Sequence, residues 1–231
     1  MNILEVNDEQ NNQICVLHIG KTGGSFVKHL IEHNIKKNQR KNYDHIHILN
    51  HQNTINSTAD QFGGSRQLIF CFRDPISRFS SAFYSRQRMG RPTYNSMWSP
   101  SEAIVFSFFN SANDLAEALL SIDERSKSAA YFAMNAIQHL RLNLQHYLHG
   151  IDTIKTEKDN IIMAIETSNI NKQLPSLMQS LGFSSFEIPK KPKYHKAINP
   201  TEKLSLTAIE NLKNYWKDEI ELYNELRRRY S

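Results

Sequence analysis

A short apolar segment followed directly by a glycine-rich loop and a helical repeat constrains the fold more than any other feature of the chain. Residues 13–19, QICVLHI, are rich in apolar and β-branched residues without alternating polarity, which is typical of a strand covered on both faces. The loop 20–25 reads GKTGGS, and apolar residues then recur at helical spacing to about residue 37. We therefore predict a buried strand, a glycine loop and a helix.

The same alternation continues along the 231 residues. Further strands are predicted at 45–49, 67–72 and 160–165. A helix is predicted after the proline at 75, and further helices are predicted at 113–120, 127–147, 172–181 and 204–229. This order predicts the α/β class, as a three-layer α/β/α fold with a mostly parallel central sheet. Without a fixed-period repeat, low-complexity tract or long linker, residues 1–231 are expected to form a single domain.

Composition excludes several classes of protein. With 39% hydrophobic and 22% charged residues, the chain is neither collagen-like nor wholly disordered. Its longest apolar stretches, such as 68–72, are much shorter than the roughly 20 residues that span a bilayer, so we expect no membrane span. Because residues 1–13 lack a secretory pattern, we expect a cytoplasmic location. Cys15 and Cys71 lie in predicted strands as core thiols. The formal charge of +5 favours an anionic partner.

The glycine loop has the chemistry of an anion site. A loop that leads from a parallel strand into a helix presents amide groups and the positive end of the helix dipole. Gly23 and Gly24 allow close backbone approach, Thr22 and Ser25 offer hydroxyls, and Lys21 adds a full charge. The nucleotide-triphosphate pattern G-x-x-x-x-G-K-[ST] is absent, which lowers ATP and GTP in rank. A plain glycine-rich turn with a surface lysine is the alternative.

A second anion site is predicted after the strand at 67–72. Arg73 ends that strand, and Arg78 and Ser81 lie on the opening turns of the next helix, where they can converge with Arg73 on a phosphate-like group. Two such sites at neighbouring strand ends indicate a ligand with two separated phosphates. The alternative is that Asp74 caps the helix and the arginines pair with surface acids.

These segments resemble two motifs of sulfotransferases. HIGKTGGSF at 18–26 is similar to their phosphosulfate-binding loop, and FRDPISRFSSAFYSR at 72–86 is similar to their 3′-phosphate motif. The resemblance is to family-2-type sulfotransferases, which include carbohydrate enzymes and bacterial relatives, and it implies a fold like that of P-loop NTPases. The closing NYWKDEIELYNEL is similar to the family's ending. Gly20 and Ser25 depart from the family's usual proline and threonine, which bears on loop stiffness.

The resemblance implies a cofactor and an activity. The cofactor would be 3′-phosphoadenosine 5′-phosphosulfate (PAPS), with 3′-phosphoadenosine 5′-phosphate as product and no metal required. Its 5′ end would lie on residues 21–26, which include Phe26, and its 3′-phosphate would meet Arg73 and Ser81. The activity would be in-line transfer of the sulfuryl group to an acceptor hydroxyl.

In-line transfer to a hydroxyl needs a base and positive charge at the leaving oxygen. Lys21 suits the second task. The family often places its base just past the second strand, so His51 is the first choice and His47 the second. A metal site formed by His45, His47 and His51 is a weaker alternative, since neither a cysteine nor a confirming carboxylate accompanies them in the sequence.

The acceptor is least defined by the sequence. Arg88, Arg91, Tyr94 and Trp98 lie in the predicted loop 88–100, where arginines mixed with aromatics suit a carbohydrate or anionic glycan, or else a lid. A lipid or small metabolite is also compatible. The basic loop 189–199, which contains His195, would close over the nucleotide or hold an acidic acceptor, or would be a solvated loop.

Two other function classes compete with this one. A kinase or phosphotransferase on a similar scaffold would need Mg²⁺ and the missing lysine–serine pair. A basic nucleic-acid-binding domain would show a continuous positive stripe, whereas here 28 basic residues are spread among 23 acidic ones, so we expect no nucleic-acid partner.

Overall fold

The computed structural model of the protein describes residues 13–38, 40–92, 94–189 and 203–231. It contains a four-stranded parallel sheet in the order β2-β1-β3-β4. The strands are β1 (Ile14–Leu17), β2 (Ile46–Ile48), β3 (Gln67–Phe72) and β4 (Ile161–Glu166). The predicted α/β class with a parallel central sheet is confirmed.

The inner strands β1 and β3 are direct neighbours. Their register pairs Ile14 with Gln67 and Leu17 with Phe70. Parallel strands end at the same edge of a sheet, so the loops that follow β1 and β3 lie side by side.

Twelve helices surround the sheet or pack beside it in the described ranges. They are α1 (Gly24–Lys37), α2 (Ile55–Phe62), α3 (Pro75–Gln87), α4 (Pro100–Phe108), α5 (Ala112–Ala118), α6 (Glu124–Ala136), α7 (Gln138–Arg141), α8 (Leu144–Leu148), α9 (Ile151–Thr156), α10 (Ile170–Ser180), α11 (Leu206–Tyr215) and α12 (Lys217–Tyr230).

Strand residues alternate between two buried clusters, one on each face of the sheet. Leu17 and Phe70 contribute to the cluster with α8, α9 and α12. Val16 and Ile69 contribute to the cluster with α1 and α10. This alternation follows from the period of two along a strand, and it produces the three layers expected from the sequence. A third cluster joins α3 to α4, α5, α6, α7 and α11.

The structure divides two long helices that the sequence predicted as continuous. The predicted helix 127–147 breaks at Ile137, whose ψ of 110° is extended, and again at Asn143, which caps α8 by accepting a hydrogen bond from the amide of His146. The predicted helix 204–229 breaks at Trp216, which packs edge-on against Phe79 with ring centroids 5.7 Å apart. Local capping and tertiary packing prevail over apolar periodicity at these points.

Two further features concern the whole described chain. Cys15 and Cys71 are buried free thiols in β1 and β3, as predicted. Within the described ranges, no helix has both the length and the apolar character needed to cross a membrane.

Candidate active site

The glycine loop joins β1 to the amino terminus of α1. Lys21 and Gly23 adopt left-handed backbone conformations with φ values of 68° and 87°, and α1 begins at Gly24. The first amides of a helix have no carbonyl partner within it, and the helix dipole adds partial positive charge there. The loop therefore directs N–H groups and positive potential toward one region, which suits an anion.

Close packing explains why the paired positions are glycines. A Cβ atom on Gly24 would lie 2.6 Å from Cδ2 of His18, and one on Gly23 would lie 2.5 Å from Cδ1 of Ile170. The positive φ of Gly23 adds a second reason, because other residues are strained in that conformation. No side chain from either position covers the backbone amides that a ligand would approach.

Lys21 is the cation at the centre of the loop. Partial burial, followed by the charges of Arg88, Arg73 and Arg78, lowers the pKa of Lys21 from 10.5 to about 8. Neighbouring cations repel one another, and a bound anion relieves that repulsion. The electrostatics of the loop therefore fit a phosphate or phosphosulfate group.

The other loop residues differ in what they can donate. The Thr22 side chain is fully buried, and its hydroxyl donates to the carbonyl oxygen of Ile19 at 2.9 Å. The prediction that this hydroxyl faces the anion is therefore wrong, and Thr22 can contribute only its backbone. The Phe26 amide donates to the carbonyl oxygen of Gly23 at 3.0 Å. Ser25 lies half-buried in the first turn of α1.

Arg73 and the start of α3 form a second cluster at the neighbouring strand end. Asp74 caps α3, since its Oδ1 accepts a hydrogen bond from the Ser77 amide at 2.7 Å. Arg73 Nε donates to Ser77 Oγ at 3.0 Å. Ser81 follows four residues after Ser77 and therefore lies on the same helix face. Because β1 and β3 are paired, this cluster lies at the same sheet edge as the glycine loop.

Arg78, which is predicted to converge with Arg73 and Ser81, directs two of its three guanidinium nitrogens to backbone carbonyl groups instead. It is 1% exposed, and its Nε donates to the carbonyl oxygen of Gly20 at 2.9 Å. Another of its nitrogens donates to the carbonyl oxygen of Leu142. Among the residues that the structure describes, none accepts a hydrogen bond from Nη1. Arg78 thus supports the glycine loop from the protein interior.

Three imidazoles surround Gly20. The ring centroids of His18 and His51 are 3.9 Å apart, and those of His51 and His139 are 6.3 Å apart. A Cβ atom on Gly20 would lie 3.6 Å from Nδ1 of His139 and 3.9 Å from the His51 ring. The structure therefore brings His51, the first candidate base, to the loop that carries Lys21.

The surroundings keep these imidazoles neutral. Loss of hydration is the largest effect on each, and it lowers the pKa of His18 to about 3 and the pKa of His51 and of His139 below the ordinary value. For His51, a hydrogen bond with the His18 backbone offsets part of this lowering of the pKa. Such a bond favours the proton on the ring nitrogen that faces the carbonyl, so the other nitrogen of His51 keeps a lone pair.

The structure separates His47 from the glycine loop and brings His139 to it. His47 lies in β2 opposite Cys15, where Nε2 contacts Oε1 of Gln13 and the ring packs on Phe62 with centroids 4.4 Å apart. The structure therefore does not bring His47 to the glycine loop. His139 lies beside Gly20, and nothing in its sequence spacing connects it to residues 20–25.

A comparison with models of protein families identifies the class of protein to which this chain belongs. The model of the sulfotransferase family matches residues 5–224, which include both clusters described above. The chain belongs to this family. Neither a curated protein nor a solved structure matches it. Membership supports sulfotransfer as the general activity and agrees with the family-2-type resemblance of the two motifs.

In this sulfotransferase, the loop between α3 and α4 is held by a buried ion pair. The guanidinium of Arg86 donates to both carboxylate oxygens of Glu102 at 2.7 Å and 2.6 Å, and to the carbonyl oxygens of Ser96 and Met97. Trp98 Nε1 donates to the carbonyl oxygen of Arg86 at 2.7 Å. The half-buried Trp98 ring thus anchors the loop.

The closing segment of the sulfotransferase supports the same region. The buried carboxylate of Glu219 accepts hydrogen bonds from the amides of Leu144 and Gln145 at 2.8 Å and 3.0 Å. These bonds fix the start of α8, and the hydroxyl of Tyr147 in that helix lies 3.4 Å from the carbonyl oxygen of His51. The carboxyl-terminal motif therefore helps to position the loop that carries His51.

The remaining candidates are a metal site and the basic segment near residue 195. In the described part of the chain, no three His, Cys, Asp or Glu side chains are grouped to hold a metal ion. His195 and the basic sequence 190–200 lie outside the described residues.

Proposed function

We propose that this sulfotransferase transfers the sulfuryl group of PAPS to an acceptor hydroxyl. The observation that carries the proposal is the pairing of β1 with β3, because it puts the glycine loop and the Arg73 cluster side by side at one sheet edge. A nucleotide with an anionic group on its 5′ oxygen and a phosphate on its 3′ oxygen carries one negative group for each of these two sites.

The residues present fit such a ligand. Lys21 and the backbone of residues 22–25 would hold the 5′ end, and Arg73 and Ser81 would hold the 3′-phosphate. The lowered pKa of Lys21 supports this assignment, because a lysine crowded by arginines gains stability when an anion binds beside it. When bound, PAPS supplies an activated sulfuryl group on a phosphate leaving group.

Lys21 would hold positive charge at the leaving oxygen. Electrostatic stabilisation of charge that develops in a transition state is commonly the largest contribution to catalysis. Partial burial strengthens that effect, since the surrounding dielectric is lower than that of water. The Gly20 carbonyl on one side of Lys21 is fixed by Arg78, which limits movement of the loop.

His51 would accept the proton of the acceptor hydroxyl. Its imidazole is neutral at physiological pH, and the hydrogen bond to the His18 backbone leaves one ring nitrogen free to act as the base. His51 is also exposed, so an acceptor can reach it from solvent. His47, which lies with Gln13 and Phe62, is the weaker choice on this geometry.

The acceptor would be a carbohydrate, lipid or small-metabolite hydroxyl. Arg88 lies close enough to Lys21 to lower the pKa of that lysine, so the loop after α3 borders the transfer site with positive charge. An anionic glycan is compatible with this charge. We further propose that residues 1–231 form one sulfotransferase domain.

Two measurements test the proposal. Thermal unfolding with adenosine 3′,5′-bisphosphate, ATP with Mg²⁺, or short DNA is expected to show stabilisation by the bisphosphate. Transfer of labelled sulfate from PAPS to a panel of glycans, phenols and lipid alcohols is then expected to label at least one acceptor class. Stabilisation by ATP with Mg²⁺ and none by the bisphosphate would contradict the proposal.

A further inference from the structure

Thr167 contacts both candidate phosphate-binding elements through one hydroxyl group. It directly follows β4 and begins a short 3₁₀ turn, Thr167–Asn169. Its Oγ1 lies 2.8 Å from the carbonyl oxygen of Thr22 and 2.9 Å from that of Phe72. Thr22 belongs to the glycine loop, and Phe72 is the last residue of β3 before Arg73, so the two acceptors come from the two clusters.

The sheet topology makes this contact informative. β4 pairs with β3 and is separated from β1 by that strand. The Thr167 hydroxyl therefore extends past the end of β3 to reach the loop that follows β1. A hydroxyl has one proton, which here is shared between two carbonyl acceptors on different chain segments.

The turn and the first residue of α10 pack against the glycine loop through apolar atoms. A Cβ atom on Gly23 would lie 3.8 Å from Cγ2 of Thr167 and 2.5 Å from Cδ1 of Ile170. Thr167 thus borders the loop through its methyl group as well as its hydroxyl.

We propose that Thr167 is a positioning residue that sets the separation between the glycine loop and Arg73. The inference depends on the proposed function, because the separation matters only to a ligand that binds both elements at once. Such a ligand gains affinity when the two sites are already spaced for it, whereas a ligand that binds one site gains nothing from the spacing.

The test compares ligands that bear one phosphate with a ligand that bears two. Calorimetric titrations would use adenosine 3′,5′-bisphosphate, adenosine 5′-phosphate and adenosine 3′-phosphate. Thr167→Val removes the hydroxyl and keeps the shape, and Thr167→Ser keeps the hydroxyl. Thr156→Val is the matched control, since Thr156 donates to a backbone carbonyl on the surface of α9.

We expect Thr167→Val to weaken bisphosphate binding about tenfold, the change that about 1.4 kcal/mol produces. Each monophosphate should change less than about twofold, and Thr167→Ser and Thr156→Val should bind all three ligands like the wild type. Equal losses for all three ligands in Thr167→Val would overturn the inference, because they would indicate a structural role alone.

Two further outcomes separate the inference from the function on which it rests. Failure of the wild-type protein to bind the bisphosphate would overturn both. Binding by the wild type with an unchanged ratio of bisphosphate to monophosphate affinity in Thr167→Val would overturn only the role of Thr167. If Thr167→Val does not fold, a changed ratio in Thr167→Ser would overturn the role, since that variant retains the hydroxyl.

Discussion

Replacing Lys21 with methionine should stabilise the ligand-free protein while weakening its binding of the nucleotide. Burial and three neighbouring arginines lower the pKa of Lys21 from 10.5 to about 8, so the charged lysine is less favourable in the folded chain than in the unfolded chain. At about 1.36 kcal/mol for each tenfold change in the acid constant, the difference is about 3 kcal/mol at pH 7.

That value is an upper limit for the variant, because methionine also loses the lysine's contacts. We therefore expect Lys21→Met to raise the free energy of unfolding by about 1–3 kcal/mol at pH 7. In a chain of this size each kcal/mol raises Tm by about 2–4 °C. Urea and thermal unfolding would measure the change, with Lys155→Met as the control, since Lys155 is 55% exposed on α9.

The pH dependence of this effect has a definite sign. The unfolded chain keeps the Lys21 proton up to a pH near 10.5, whereas the folded chain loses it near pH 8. Between these values the unfolded state binds more protons, so wild-type stability rises with pH relative to the variant. The gain from Lys21→Met should be complete below pH 8 and smaller at pH 9.5. A variant no more stable than the wild type at pH 7 would refute the reasoning.

Three further predictions follow from the same site. Affinity for adenosine 3′,5′-bisphosphate should fall as the pH rises through about 8, where Lys21 loses its proton, and calorimetry at pH 7 and pH 9 should find no such fall in Lys21→Met. Gly23→Ala should lower the free energy of unfolding by about 1–3 kcal/mol in urea, because φ is 87° and the added methyl meets a side chain of α10 at 2.5 Å. His51→Asn should reduce turnover by about 10²–10⁴ with nucleotide affinity nearly unchanged, whereas His47→Asn should retain turnover; the opposite pattern would move the base to His47.

The sequence predicts the sheet and the glycine loop well, because both depend on local patterns. The strand at 67–72 matches β3 residue for residue, since a continuous apolar run bounded by turn formers has few other solutions. Helix α1 begins at Gly24, two residues before Phe26, which is the first apolar residue of the predicted helix. These elements fix which loops meet at the sheet edge, and hence where the candidate site lies.

Apolar periodicity does not predict three of the helices, α2, α4 and α9, although α4 has a recognisable signal. Ser99 caps α4, the Ser99 amide donates a hydrogen bond to Oε2 of Glu102 at 3.0 Å, and Pro100 occupies the first helical position. This is a capping box that the sequence alone displays. α2 has a less familiar version, in which Thr54 pairs with Ser57. The prediction relied on apolar periodicity, which is short in both segments.

The destinations of long polar side chains were the least predictable part of the site. Helical spacing allowed Arg78 to face either a ligand or the interior, and the carbonyl oxygens of Gly20 and Leu142 decide for the interior. His139 reaches Gly20 only because the helix breaks at Ile137 and α7 takes a new direction. Neither outcome follows from spacing, since each depends on a partner more than fifty residues away.

The central claim is that one nucleotide occupies both the glycine loop and the Arg73 cluster. It is tested most directly by titrating wild type and Arg73→Gln with adenosine 3′,5′-bisphosphate and with adenosine 5′-phosphate, with Arg125→Gln on α6 as the control. We predict that Arg73→Gln weakens the bisphosphate by about 10–100-fold, as expected for a lost hydrogen bond to a charged group, and leaves the 5′-phosphate within about twofold. Equal weakening of both ligands, or no binding of the bisphosphate to the wild type, would contradict the claim.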